Sequence, residues 1–276
     1  MKIVMIGLST LVASSLLFVS GCELFEDDRD DESGQLSAAW IRIEGGRYEM
    51  GDELLAAAEP VHEIELPSFE MKRTEVTLNE YAACVNAGAC TVPTSQNGSC
   101  NWNTNGSGEL PVNCVVWEQA VQYCQWAGGR LPSESEWEYA ASSGGIEDKY
   151  PWGKASPSCD YTIMKDESGI DGCGRERTWP VCSRPYGNTG DGLCDMGGNV
   201  SEWVQDHFHL DYNGSPPSDG TAWEEIGLPY RVVRGASYNA SNFSFFDVSN
   251  RGNSDAASIQ DNIGIRCARD VANPEF

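Results

Sequence analysis

Apolar and polar positions alternate near the start of the tryptophan-rich part of the chain. The stretch AWIRIEGGRYEMG alternates through Ile41 and Ile43, passes two glycines, and alternates again through Tyr48 and Met50. A period of two, interrupted by a two-residue glycine turn, is typical of a β-hairpin. We therefore predict a hairpin whose turn lies at residues 45–46.

Three later segments combine a helix-start signal or a helical apolar period with a glycine stop. Thr77 stands three residues before Glu80, and Ser133 stands three residues before Glu136, so each pair forms a capping box. A third segment, VWEQAVQYCQWAGG, places Trp117, Val121 and Cys124 on one helical face and ends at two glycines. We predict two or three short helices, the first of which stops near Gly88.

Beyond Gly144 the pattern is mostly that of turns, apart from the strand-like stretches YRVVRGAS and IGIRCAR. Loops this long are uncommon in a compact domain unless disulfides, a metal or function hold them. The pattern predicts an α+β fold with little regular secondary structure.

The first residues have the pattern of an export signal. Lys2 precedes an apolar run, and the run ends in Val19-Ser20-Gly21-Cys22, which resembles the lipobox of bacterial lipoproteins. We predict a signal peptide over residues 1–21 and lipidation of Cys22. The alternative is ordinary secretion with a spare cysteine. Lipid chains hold such proteins stably on a bilayer, so we expect a lipid-anchored protein of the bacterial cell envelope, periplasmic or on the outer-membrane surface.

The stretch after Cys22 is acidic and poor in apolar residues, which is typical of a flexible linker. We assign residues 22–38 to this linker, residues 39–271 to one domain, and residues 272–276 to a tail. The net charge of −24 argues against nucleic acid or an anionic lipid surface as a partner, because either would repel this chain. We expect the protein to associate with the membrane through its lipid anchor.

Three histidines are present, and two of them, His207 and His209, lie near Asp206 and Asp211. This group is a candidate transition-metal site. It has no clear third ligand, and two plain loop histidines are the other interpretation.

The chain has eleven cysteines, and setting Cys22 aside leaves an even number in an exported protein, which favours disulfides. Structural zinc is disfavoured because the sequence lacks a Cys-x₂-Cys pair. Spacing alone does not fix the connectivity. Near neighbours are geometrically easy partners, and they are Cys84 and Cys90, Cys100 and Cys114, Cys159 and Cys173, and Cys182 and Cys194. Those pairs would leave Cys124 and Cys267.

Six segments resemble, in order and at similar spacing, the formylglycine-generating enzyme (sulfatase-modifying factor) family. They are MKRTEVTLNEYAACV, WAGGRLPSESEWEYAA, YPWG, GLCDMGGNVSEWVQD, RVVRGAS and NIGIRCAR. The resemblance spans about residues 39–271. It implies a disulfide-rich fold related to C-type lectins and a bond between Cys124 and Cys267. Active members of this family oxidise a cysteine of a sulfatase to formylglycine with copper and oxygen.

The resemblance also implies a structural calcium ion. Family members bind calcium through one loop, and the matching positions here are Asp195, Gly198, Val200 and Glu202. A hard cation takes six or more oxygen ligands, which a turn-rich loop supplies from carboxylates and carbonyls. The other interpretation makes Asp195 a loop acid and Glu202 a cap. Ser201 departs from the family, which usually has tryptophan at that position.

The family's catalytic positions do not carry over. Two cysteines that follow an RGGS motif hold copper in the active enzymes, and thiolates suit the soft Cu(I) ion. Counted from Ser237, the matching positions are Ala240 and Phe245, and no cysteine lies between Cys194 and Cys267. We expect no copper site and no formylglycine formation. The rest of the active-site frame matches Arg234, Gly235 and Ser237.

Two classes of function remain after these assignments. The first is a non-catalytic binding or structural module that presents the vestigial groove to a peptide, a glycan or an envelope protein. Its candidate contact residues are Tyr238, Phe243, Phe245 and Phe246, whose aromatic rings are also candidates for core packing. The second is an oxidoreductase-type enzyme of the same family with altered chemistry, using Ser237, Arg234 or the two histidines. The sequence shows no base beside Ser237, which favours the first class.

Overall fold

The computed structural model describes most of the chain from residue 39 onward, namely residues 39–94, 99–102, 108–146, 149–225 and 229–271. The predicted signal peptide, Cys22, the linker and the tail lie outside these ranges. Within them, no helix is long and apolar enough to cross a bilayer.

The described residues form nine strands, three helices and several short turns. The strands are β1 (Trp40–Ile43), β2 (Gly46–Met50), β3 (His62–Leu66), β4 (Phe69–Lys72), β5 (Ser201–His207), β6 (Tyr230–Arg234), β7 (Arg251–Asp255), β8 (Ile263–Gly264) and β9 (Ala268–Asp270). The helices are α1 (Leu78–Asn86), α2 (Trp117–Trp126) and α3 (Glu134–Ala141). Shorter helical turns lie at Asp171–Gly174, Pro185–Gly187 and Phe243–Phe246.

Both strands of the predicted hairpin form, but the hairpin is wrong, because the two strands lie in different sheets and do not pair with each other. Strand β1 pairs antiparallel with β4, with Ile43 opposite Phe69, and β2 pairs antiparallel with β3, with Gly46 opposite Leu66. Gly45 lies between β1 and β2, at a point where the chain passes close to the end of β3. A Cβ atom at this position would come 2.3 Å from the carbonyl oxygen of Leu66. Gly45 therefore allows the backbone of Leu66 to approach closely, and it does not form the turn of a hairpin. Alternation decides which side chains face the core, whereas the pairing partner depends on the rest of the fold.

The helix prediction is confirmed, and all three candidate segments form helices. In α1 the Thr77 hydroxyl accepts the backbone N–H of Glu80, and α3 has the equivalent capping box at Ser133. Gly88 follows α1 with a φ of 73°, a left-handed conformation that glycine adopts without steric cost. All eight residues of α3 are buried, so this helix lies inside the domain and not on its surface.

A four-stranded sheet in the order β7-β6-β5-β8 carries the later part of the chain. The stretch YRVVRGAS forms β6 as predicted, whereas IGIRCAR divides into β8 and β9, which belong to different sheets. Strands β5 and β7 were not predicted from the sequence. Strand β7 reads RGNSD, which has no apolar alternation, and it forms because its backbone pairs with β6 along its whole length.

Five disulfides cross-link the described part of the chain. They join Cys84 to Cys90, Cys100 to Cys114, Cys124 to Cys267, Cys159 to Cys173, and Cys182 to Cys194. The predicted bonds are confirmed, including the long-range bond that connects α2 to the segment before β9. The mixed, helix-poor and disulfide-rich fold is also as predicted.

Candidate functional site

The loop that follows β6 holds the positions that match the family's catalytic cysteines. Ala240 is buried in an apolar cluster with Met164 and Phe246. Phe245 belongs to the helical turn Phe243–Phe246 and is 46% exposed. The two positions therefore supply a methyl group packed in the core and a phenyl ring at the surface, and neither can ligate copper.

Ser237 lies in the same loop, and its hydroxyl is engaged by amides. It donates to Oδ1 of Asn239 at 2.8 Å and accepts from Nδ2 of Asn262 at 3.4 Å. Among the described residues, no imidazole or carboxylate forms a hydrogen bond with this hydroxyl. A serine nucleophile is activated by such a base, whereas the partners of Ser237 in this structure are amide groups.

Arg234 is the last residue of β6, is fully buried and belongs to an ion-pair network. Its guanidinium donates to Glu134 and to Glu138, each at 2.8 Å, and Arg251 binds Glu134 through two hydrogen bonds of 2.7 and 2.8 Å. Burial raises the pKa of Glu134, but Arg251 and Arg234 outweigh it and hold that pKa below its usual value. Arg234 therefore fixes β6 onto α3 and does not face a ligand.

Two cavities flank the helical turn Phe243–Phe246. One has a volume of about 490 Å³, and Met164, Ser241 and Phe243 contribute to its wall. The other has a volume of about 640 Å³, and Ser244 contributes to its wall. Phe243, in the wall of the first cavity, is 48% exposed, whereas Tyr238 and Phe246 are core residues.

The two carboxylates matched to the calcium site, Asp195 and Glu202, are hydrogen-bonded to protein groups. Both carboxylate oxygens of Glu202 accept hydrogen bonds from Arg266, and one also accepts from Nε1 of Trp137 at 2.6 Å. Asp195 accepts from the N–H of Cys182 at 2.6 Å, and burial raises its pKa to about 6. Glu202 therefore does not fit the role of a calcium ligand in this arrangement, because its charge is already balanced by a guanidinium. Calcium binding here stays a prediction.

Glu75 is a further buried carboxylate next to these residues, and no sequence motif predicts it. Its carboxylate accepts from Nδ2 of Asn199 at 2.7 Å and from the N–H of Val200 at 2.9 Å. Burial, and then the charges of Asp195 and Glu202, raise its pKa well above the usual value. No local pattern marks Glu75, because the groups it binds lie more than a hundred residues away in the sequence.

The two histidines do not form a metal site. The ring of His209 stacks on Trp223 with the centroids 3.5 Å apart, and its Nδ1 lies 3.1 Å from the carbonyl oxygen of His207. In the part of the chain that the structure describes, no group of three or more His, Cys, Asp or Glu side chains could hold a metal ion. His209 is a packing residue.

These features define a disulfide-bonded domain of C-type-lectin-like topology, whose loop after β6 presents aromatic and amide groups in place of thiols. Residues 27–271 match the sulfatase-modifying factor enzyme 1-like domain. The chain therefore belongs to that family. The match begins inside the segment assigned to the linker, and residues 27–38 lie outside the described ranges.

Individual relatives agree with this assignment. The chain is 29% identical to the formylglycine-generating enzyme of Streptomyces coelicolor, over 84% of this chain and 89% of that protein. It is 33% identical to the inactive C-alpha-formylglycine-generating enzyme 2 of Mus musculus, over 60% of this chain and 51% of that protein. Among solved structures, PvdO from Pseudomonas aeruginosa superimposes with a TM-score of 0.70 at 27% identity, covering 84% of this chain and 94% of PvdO.

Proposed function

We propose that this protein is a lipid-anchored member of the bacterial cell envelope whose domain binds a partner and does not catalyse formylglycine formation. The observation that supports this proposal most directly is that the cysteines are bonded to one another. All ten cysteines of the described residues are paired in disulfides. A cysteine in a disulfide has no thiolate to hold Cu(I) or to engage a substrate cysteine.

The surroundings of the catalytic positions support the same conclusion. Ala240 packs in an apolar cluster, and the two cysteines packed against that cluster, Cys159 and Cys173, are joined in a disulfide. Arg234 serves an internal ion-pair network, and Ser237 bonds to amides. The residues that match the family's active-site frame, Arg234, Gly235 and Ser237, thus stabilise β6 and the turn that follows it.

The binding role rests on the surface that surrounds Phe243 and Phe245. Both rings are about half exposed, and each of the two flanking cavities has a volume in the range of ligand pockets. Aromatic side chains supply large contact area and are enriched in the core of interfaces. We assign this surface to a peptide, a glycan or an envelope protein.

The first test is catalytic. The purified protein is incubated with Cu(I), oxygen and a cysteine-containing sulfatase peptide, and the peptide is followed by mass spectrometry. The formylglycine-generating enzyme of Streptomyces coelicolor serves as the positive control. We expect no aldehyde above the metal-only reaction. Turnover above that level would contradict the non-catalytic assignment.

The second test addresses the binding surface in a bacterial cell envelope. A photo-reactive phenylalanine analogue replaces Phe243 in one variant and the exposed Leu210 in a control variant. We expect a defined adduct from position 243 and none from position 210. Equal labelling at both positions would show that the aromatic surface has no special role.

The third test concerns the anchor. Replacing Cys22 with serine removes the acceptor thiol, so we expect the variant to leave the membrane fraction, and mass spectrometry of the wild-type amino terminus to find acyl chains. A Cys22→Ser variant that stays in the membrane fraction would contradict lipid anchoring. This result is independent of the catalytic and cross-linking tests.

A further inference from the structure

Two arginines pack against one tryptophan near the loop after β6. The guanidinium carbons of Arg175 and Arg184 lie 3.6 and 4.0 Å from the ring centroid of Trp179. Cation–π attraction favours each contact separately. The two like charges are nevertheless held no farther apart than these two distances combined, so they repel each other.

The charge of this pair is not balanced by an ion pair. Most described arginines have a carboxylate within ion-pair distance, namely Arg42, Arg47, Arg130, Arg231, Arg234, Arg251, Arg266 and Arg269. Among the described residues, the arginines without one are Arg73, Arg175, Arg177 and Arg184. Three of these four fall within residues 175–184, in a chain with 42 acidic and 18 basic residues.

The donors of Arg184 are largely unused. Its Nε is buried without a hydrogen-bond partner, and its Nη1 makes one long contact of 3.4 Å to the carbonyl oxygen of Ser183. Burial and the charge of Arg175 both lower its pKa, and Asp160 and Asp195 oppose that change. Neither aspartate forms an ion pair with it. A guanidinium with free donors and a cationic neighbour is a receptor for an oxyanion.

The tryptophan that carries the pair is held rigidly. Its indole N–H donates to the carbonyl oxygen of Gly172 at 2.7 Å, and its backbone N–H donates to Oδ1 of Asn199 at 2.9 Å. The N–H of Gly172 donates to the carbonyl oxygen of Tyr238, and the N–H of Tyr238 donates to the carbonyl oxygen of Asn199. These hydrogen bonds connect Trp179 to the loop after β6. The arginine pair therefore stands on a fixed support and not on a mobile side chain.

We infer that Arg175, Trp179 and Arg184 form an anion site that binds the carboxylate groups of an acidic ligand. A carboxylate accepts two parallel N–H donors from one guanidinium, and its charge removes the repulsion between the two cations. The strongly acidic protein repels anions at long range, so binding depends on this local pair. The carboxylates can belong to a free polycarboxylate or to an acidic sugar chain.

The test follows the indole N–H of Trp179 by NMR in protein labelled with ¹⁵N-tryptophan, with the resonance assigned through a Trp179→Phe variant. The probes are citrate, an oligogalacturonate, and a neutral oligosaccharide of the same length. Sodium chloride keeps the ionic strength constant. The variants are Arg175→Gln/Arg184→Gln and, as the matched control, Arg47→Gln, which removes an exposed arginine that pairs with Glu65 at 2.8 Å.

We expect citrate or the oligogalacturonate to shift the Trp179 resonance in the wild type and in Arg47→Gln. We expect the double variant to bind at least about tenfold more weakly, because the charge-assisted hydrogen bonds are lost. The tighter of the two acidic probes identifies the source of the carboxylate. Equal shifts with the neutral sugar, with chloride alone or in the double variant would overturn the assignment. Unchanged melting temperatures of the variants would show that they are folded.

Discussion

The bond between Cys124 and Cys267 is the disulfide whose removal we expect to cost the most stability. It joins residues 143 apart, whereas Cys84 and Cys90 are 6 apart. In the chain-entropy description, a cross-link stabilises the fold by restricting the unfolded chain, and the effect grows with the logarithm of the loop length. The paired substitutions are Cys124→Ala/Cys267→Ala and, as the matched control, Cys84→Ala/Cys90→Ala.

The loop lengths give the magnitude of the difference. The long loop corresponds to about 5 kcal/mol and the short one to about 2 kcal/mol at 25 °C. Two other disulfides, Cys159–Cys173 and Cys182–Cys194, lie inside the long loop. They shorten its path to about 120 residues, which lowers the first figure by only roughly 0.2 kcal/mol. The four substituted cysteines are buried, so the loss of side-chain packing is similar in both variants and largely cancels.

The assay is unfolding of the purified, non-reduced protein by guanidinium chloride and by heat. We expect the free energy of unfolding of the long-loop variant to lie about 3 kcal/mol below that of the short-loop variant. For a domain of this size, that difference lowers the melting temperature by about 6–12 °C. Equal stabilities, or a larger loss in the short-loop variant, would refute the argument from loop length.

Three further predictions follow from buried groups. Glu202→Gln removes the ion-pair partner of the buried Arg266, and we expect it to cost about 3–5 kcal/mol, equally in calcium and in chelator; a loss seen only with calcium would assign Glu202 to the metal. Burial raises the pKa of Asp206 from 3.8 to about 7, so the folded protein keeps a proton that the unfolded chain releases. Stability should then fall as the pH rises from about 4 to 7, and Asp206→Asn should flatten that slope in denaturant titrations; parallel profiles would contradict this. Ser133→Ala removes the cap of α3 and should lower the melting midpoint through a loss of about 1 kcal/mol, whereas no change would mean that the cap is redundant.

The sequence by itself determined the features that depend on neighbouring residues. The capping boxes at Thr77 and Ser133 mark helices because a side chain three positions away from its partner can reach the backbone. The even cysteine count indicated disulfides, and the absence of cysteine after Cys194 until Cys267 excluded a thiolate pair at the catalytic positions. These inferences need only local geometry and counting.

Tertiary structure decided the features that depend on distant partners. Gly45 and Gly46 are typical of a hairpin turn, yet β1 and β2 pair with different strands, and Gly45 allows the close approach of Leu66. Glu202 was matched to a metal loop, yet it binds Arg266, which lies 64 residues further along the chain. Strand β7 lacks an apolar pattern and forms because β6 offers a backbone edge. A strand's partner and a buried charge's counter-ion are chosen by packing, because hydrogen bonds and ion pairs depend on distance in space and not on position along the chain.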